Sequence, residues 1–146
     1  MAKGLGNNYL VWVESITPGT YNLIKGQQGA TISRSSSSID LGSKDDNGYA
    51  ASAPGLRTLT ISLTVLPNLP DSTGYTRLET LCNASPQAPF NIQIRKGGAT
   101  GATGDVVFAG SVYGNLDSTG FDQNAGVPVG ITFTAAGAPT ADTLAI

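Results

Sequence analysis

The stretch TLTISLTV, Thr58 to Val65, decides the fold. Leu59, Ile61, Leu63 and Val65 fall on one face and Thr58, Thr60, Ser62 and Thr64 on the other, a period of two that belongs to a half-buried antiparallel strand and to no helix. The same alternation recurs where Phe90, Ile92 and Ile94 interleave with Asn91, Gln93 and Arg95, and where Val127, Val129, Ile131 and Phe133 interleave with Pro128, Gly130, Thr132 and Thr134. Pro128 has no N–H to give to a ladder, so the start of that last strand is expected at an edge or outside the sheet. Further strands are expected at Tyr9 to Glu14, around Tyr21 to Ile24, at Ala30 to Arg34 and at Val106 to Tyr113. In the last of these Gly110 points to a bulge or a close backbone approach.

One segment departs from the period of two. Between Asp71 and Ala84, Tyr75, Leu78, Leu81 and Cys82 recur at spacings of three and four, Asp71 or Ser72 can cap the start, and Pro70 and Pro86 punctuate the ends. This predicts one short amphipathic helix, whose single apolar stripe must pack on the sheet. The fold class that follows is mainly β, an antiparallel sandwich or partly closed barrel with one short flanking α-helix and a long loop, in a single domain over residues 1–146. The long loop is Ser35 to Gly55, twenty-one residues holding four consecutive serines (Ser35 to Ser38) and the charge cluster Lys44, Asp45, Asp46. A connection of that length inside a small domain is either functional or disordered. Gly97 to Gly104, GGATGATG, and the tail after Gly137 read as mobile pieces.

Composition narrows the function. Only 12% of the 146 residues are charged, about half the usual ~25%, so solubility rests on Ser and Thr. The chain has no His and one Cys, Cys82, which removes His-based triads, Cys-His pairs, multi-Cys or His-ligated zinc sites and any intrachain disulfide. A net charge of −2 argues against a protein that grips nucleic acid by neutralising phosphates. No apolar run approaches the ~18 residues of a membrane span, and the N-terminus lacks the apolar core of a signal peptide, so no membrane association and a cytoplasmic origin are expected.

Candidate chemistry is correspondingly thin. In SKDDNG, Ser43 to Gly48, the residues Asp45, Asn47 and Gly48 match positions of a calcium loop, but Ser43 stands where Asp is needed and Pro54 where a bidentate Glu is needed. Gly97 to Gly104 lacks the following Lys-Ser/Thr and the helix that a phosphate cradle requires. Glu14, Glu79, Asp105 and Asp117 are scattered carboxylates with no pairing signal. Cys82 lies on the apolar stripe of the helix as a small core residue, Asn83 to Ser85 forms a glycosylation sequon by letter alone, and Trp12 is core or interface. No cofactor, metal or catalytic set is expected; long loops and strand edges instead suggest a chain that acts by touching other chains.

The run SRSSSSIDLGSKDDNGYAASAPGLRTLTISLTVLP from Ser33 to Pro67, the helix around Leu78 to Cys82, PFNIQI and the closing VPVGITFTAAG together resemble the major tail tube proteins of long-tailed bacteriophages, a fold shared with type VI secretion tubes. The specific features are Ile39 with Asp40, Lys44, Gly48, and the turn Pro54, Gly55, Leu56 opening a strong alternating strand. Phe133 to Gly137, a final strand ending in small residues, is also similar. The resemblance implies six-membered rings stacked into a tube, with neighbouring sheets joined into an inner barrel that conducts DNA without sequence preference. It also implies partners in the tape measure, tail terminator and distal tail proteins, and a location in the virion tail after assembly in the host cytoplasm. The family's long loop reaches an adjacent subunit or ring, which maps onto Ser35 to Gly55, and terminal contacts would involve Met1 to Asn8 and Ala138 to Ile146. Within the loop and its flanks, Arg34, Ser36, Asp40, Lys44, Asp45, Asp46 and Arg57 are the candidate intersubunit residues. A type VI secretion tube protein, a tail terminator or head decoration protein and a secreted β-sandwich binding module remain alternatives.

Overall fold

Chain order in the computed structural model, which describes residues 6–46, 48–49, 51–123 and 125–144, is β1 (Leu10–Glu14), β2 (Tyr21–Leu23), β3 (Gln27–Asp40), β4 (Ser52–Val65), α1 (Tyr75–Cys82), β5 (Phe90–Arg95), β6 (Val106–Thr119), β7 (Val129–Ala135) and β8 (Ala141–Asp142). The strands form one antiparallel sheet in the order β2-β1-β5-β6-β7-β4-β3, with β8 beside β6. The mainly β expectation with one flanking helix therefore holds, in the form of an eight-stranded sheet that does not close into a barrel.

The period-two faces explain how this sheet makes a core. Ile61 and Leu63 of β4 lie opposite Phe133 and Ile131 of β7. They bury with Val11 and Val13 of β1, Ile92 of β5, Val112 of β6 and Leu78 of α1 in one cluster. Each such side chain contributes about 1.5–3 kcal/mol on leaving water. Phe90 meets Phe133 edge to face across the cluster, with centroids 6.1 Å apart. The two ends of the strand path are tied by one side chain. The Gln27 amide at the start of β3 donates from Nε2 to the carbonyls of Val11 and Ile24, 2.7 Å each, and accepts the Val11 N–H at 2.9 Å. It thus answers both backbone groups of Val11 as a neighbouring strand would.

The helix starts later than its sequence pattern suggests because Asp71 caps it from a distance. The Asp71 carboxylate is only 3% exposed and accepts the N–H groups of Gly74 (3.2 Å) and Tyr75 (3.0 Å). It also accepts the N–H of Lys25 at 3.1 Å, which ties the helix start to the β2–β3 connection. At the other end, Gln87 Nε2 donates to the carbonyls of Cys82 and Gly114, 2.8 and 2.9 Å away. The helix lies so close to β6 that a methyl on Gly114 would come within 2.6 Å of Cys82 Sγ and 2.9 Å of the Phe90 ring.

Three expectations need correction. Ser35 to Gly55 is not a long loop: β3 runs on to Asp40 and β4 begins at Ser52, so the two fourteen-residue strands form a hairpin arm around a turn at 41–51. No core covers the arm, so its residues carry no apolar alternation and the four serines read as loop. Second, the glycine-rich segment is folded into two 3-10 turns, Gly98–Thr100 and Thr103–Asp105. They are held by Arg95 Nη1 donating to Gly101 O at 3.3 Å and Lys96 N donating to Asp105 O at 3.0 Å. Third, the tail after Gly137 forms β8 against β6. Gly110 is a close approach rather than a bulge, since it keeps register with Ile92 while a methyl there would sit 3.3 Å from Pro139. Pro128 falls just before β7, as expected. Of the terminal contacts, residues 1–5 and 145–146 lie outside the described residues.

Because hydrogen bonds to a charged group contribute about 1.5–3 kcal/mol, Asp71→Ala is expected to lower unfolding stability by at least that amount. Urea denaturation of the two proteins measures it, and a loss below about 0.5 kcal/mol would contradict the capping role.

Candidate assembly surface

The outer face of β3, β4, β7 and β6 can be read row by row from the strand register. Gly29, Thr64, Gly130 and Ser118 make one row, Thr31, Ser62, Thr132 and Asn115 the next, and Ser33, Thr60, Thr134 and Tyr113 a third. The alternation that sends Ile61, Leu63, Ile131 and Phe133 inward leaves this face to hydroxyls, glycines and amides. One charge enters it, at the β6 bulge between Leu116 and Ser118: Asp117 accepts from Asn115 Nδ2 at 2.6 Å and from Thr132 Oγ1.

Both flanks of this face end in strand edges with no further strand beside them among the described residues. β3 pairs only with β4, so its other edge is open among the described residues. β5 reaches along β6 only as far as Val112, which leaves Tyr113 to Thr119 with β7 on one side and, among the described residues, no strand on the other, where Gln87 Nε2 takes up the Gly114 carbonyl alone. Open edges of this length are ready to pair with another strand.

Beyond the core, the arm extends both strands past Leu59 and exposes Ile39, Leu41, Tyr49 and Leu56, the last at 87%. At its base a groove of about 920 Å³ opens between the core-side face of the hairpin and residues 134–139 with Asp142. Leu59, Ala135, Ala136 and Pro139 give it apolar walls. Arg34 spans it, donating from Nε (3.0 Å) and Nη2 (2.5 Å) to the Asp142 carboxylate. That hydrogen bonding holds the guanidinium pKa above its ordinary value.

The predicted contact residues separate into two sets. Arg34, Ser36 and Arg57 come together at the groove, Ser36 directly opposite Arg57 in the hairpin. Asp40, Lys44 and Asp45 lie at the arm's far end, where Asp40 Oδ1 accepts the Gly42 N–H at 2.8 Å and Lys44–Asp46 form a 3-10 turn. The Asp46 side chain lies outside the described residues. Arg34 has a partner in its own chain, whereas Arg57, Lys44 and Asp45 are exposed and have no partner among the described residues. Asp142 was not anticipated, because a two-residue strand in an aperiodic tail leaves no pattern to read.

A second polar cluster lies on the outer face of β1, β2 and β5. Arg95 is 6% exposed, its guanidinium 4.5 Å from the Trp12 ring centroid and 5.7 Å from that of Tyr21. Burial draws its pKa below the ordinary value. The cluster holds the 97–105 turns in place, which is a structural use of the single Trp. Among the described residues no group of three or more His, Cys, Asp or Glu could hold a metal, and no helix is long and apolar enough to cross a membrane.

A family model described as phage tail tube protein matches residues 5–141. The chain belongs to that family. The tail tube chain is therefore a structural component of a phage tail and not an enzyme. Solved structures share its fold at low identity. The tail of an empty gene transfer agent particle, refined with C6 symmetry, aligns with a TM-score of 0.75 at 14% identity, covering 97% of this chain and all of that one. A native gene transfer agent virion aligns at 0.70 and 16%, covering 94% and 97%. The SPP1 tail tube, from solid-state NMR and cryo-electron microscopy, aligns at 0.62 and 16%, covering 96% and 81%. No curated protein sequence is a significant match.

The tail tube protein's one thiol accords with a structural role. Burial pushes Cys82 from an ordinary pKa of 9.0 up to about 11. At pH 8 native Cys82 should react with iodoacetamide at least tenfold more slowly than in urea, since the thiolate is the nucleophile. The unfolded thiol ionises first as pH rises, so this group's contribution to stability is complete below pH 9 and is lost between 9 and about 11. Equal labelling rates in the native and unfolded states would show that the thiol is not shielded.

Proposed function

We propose that this chain forms six-membered rings through its sheet edges, β3 of one copy pairing with the Tyr113 to Thr119 stretch of β6 in the next, and that the rings stack into a tail tube that conducts the genome during ejection. The observation that carries this reading is the four-strand polar face with an open edge on each flank. The family assignment and the C6 tail of the gene transfer agent support it. Four strands from each of six copies make twenty-four, which at about 4.8 Å per strand gives a backbone circle roughly 37 Å across. Strand tilt of about 35–45° widens it further. A duplex fits within it.

The face fits a conduit. DNA sticks to proteins when Lys and Arg neutralise its phosphates and set free the counterions condensed on it, and these three rows contain neither residue. Asp117 adds repulsion. The arm, prolonging β3 and β4 along the strand direction, overhangs the ring and supplies contacts to a copy in the adjacent ring through Ile39, Leu41, Tyr49 and the charges Asp40, Lys44, Asp45 and Asp46. Arg34 and Ser36 contribute at the arm's base with Arg57. The tape measure, tail terminator and distal tail proteins are the further partners of this reading, with assembly in the host cytoplasm before the tail joins the virion.

Electron microscopy of the purified protein should show rings and tubes. Ser62→Lys, which places six ammonium groups per ring on the proposed lumen, should still assemble but retain duplex DNA in a salt-dependent way that the parent tubes do not. If Ser62→Lys tubes release DNA as readily as the parent, the lumen lies on another face.

A further inference from the structure

The strand register also shows which features lie at which end of the molecule. β3 and β4 carry the arm at the end where β7 finishes, so the groove beside Arg57 opens at the arm end. At the opposite end β6 finishes at Thr119 and β7 begins at Val129, and the connection between them projects Phe121, 81% exposed, with Asp122 beside it and Val127 42% exposed. Asp122 is exposed and has no partner among the described residues.

These two ends are complementary. One offers apolar walls from Leu59, Ala135 and Pro139 around the unpaired Arg57 cation. The other offers an unburied aromatic ring next to an unpaired carboxylate. We infer that the groove of one copy receives Phe121 and Asp122 of a second copy stacked on it, Phe121 entering between the apolar walls and Asp122 pairing with Arg57. The inference rests on the tube reading above and deepens it by naming the axial contact. Burying an aromatic side chain removes roughly 150–250 Å² from water, which makes Phe121 the anchor. The shielded ion pair then sets its register. The contact joins different patches at opposite ends, so it is heterologous: each added copy presents a fresh groove, and growth along the axis has no built-in stop. Ring formation by the sheet edges uses neither patch, so the two contacts can be separated experimentally.

The test is a charge exchange on the full chain, read by tube length in electron micrographs and by sedimentation for rings. Arg57→Glu alone and Asp122→Arg alone should each leave rings intact while shortening tubes at least tenfold, and the double variant should restore lengths to within twofold of the parent. Phe121→Ala should shorten tubes without affecting rings. A second readout does not depend on the charge variants folding: with Arg57→Cys and Asp122→Cys together, oxidised tubes should give a ladder of covalent multimers that neither single variant gives. Parent-length tubes from Arg57→Glu, a double variant as short as the singles, or no ladder from the paired cysteines would each overturn the inference while leaving ring assembly standing. If the parent protein forms no rings or tubes, the tube reading itself fails and this contact with it.

Discussion

Strands β3 and β4 are each fourteen residues long, yet the core covers β4 only from Leu59 to Val65. That mismatch is the constraint on which the rest of the surface depends. A strand pair can extend past its core because the ladder between the two strands satisfies one side of each backbone, but the other sides and the exposed Ile39 and Leu56 remain without partners. A two-stranded ribbon in water is marginal. Its persistence over residues 35–40 and 52–58 depends on the buried base, where Ile32 faces Ile61, to set the register that the arm inherits.

The same economy governs charge. With 12% charged residues the protein has few groups whose desolvation would oppose contact with another copy, and those it has are sorted by position. Asp71 and Arg95 are buried and committed to holding the helix start and the 97–105 turns. Arg34 and Asp142 pair at the surface, where such a pair contributes at most about 1 kcal/mol and so aligns the tail more than it stabilises the fold. Arg57, Lys44, Asp45 and Asp122 are exposed with no partner among the described residues, and all four lie outside the polar four-strand face, whose one charge is Asp117. On the tube reading proposed above, a face without cations between charged ends separates a surface that lets a polyanion pass from surfaces that dock.

How much of this could be read from sequence follows from the same physics. Where one face of a strand is buried, the period of two is written into the residues: β5 and β7 are legible nearly to their bounds from Phe90 and Val129 onward, and β4 only over its covered half from Leu59 to Val65. The helix was legible from Leu78, Leu81 and Cys82, and its remote cap from Asp71. Where neither face is buried, the pattern vanishes while the backbone pairing remains, so Ser35 to Ser38 looked like loop and proved to be strand. β8 was invisible because two residues are too few for any period. Of the candidate contact residues, sequence identified the charged types but not their grouping. Only the register shows that Arg57 shares a groove with Arg34 while Lys44 and Asp45 stand at the far end of the arm, and only the topology places Phe121 at the opposite pole.

The lateral and axial contacts proposed above also differ in kind, and the difference bears on the order of assembly. Pairing β3 with β6 would join backbone donors and acceptors along the Tyr113 to Thr119 edge, an interaction that is directional and register-specific and that ends when the ring closes, because closure alone abolishes the edges. Docking an exposed ring and a carboxylate into a groove is short in extent and repeats indefinitely. On that reading a single copy would offer one small set of axial contacts to set against the ~4–15 kcal/mol lost in immobilising two chains, whereas a closed ring of six would present six sets at once and incur that loss only once. Stacking therefore becomes favourable only after rings have formed. A chain built this way can accumulate as single copies and grow tubes from a ring-shaped template, with no chemical step needed to start them.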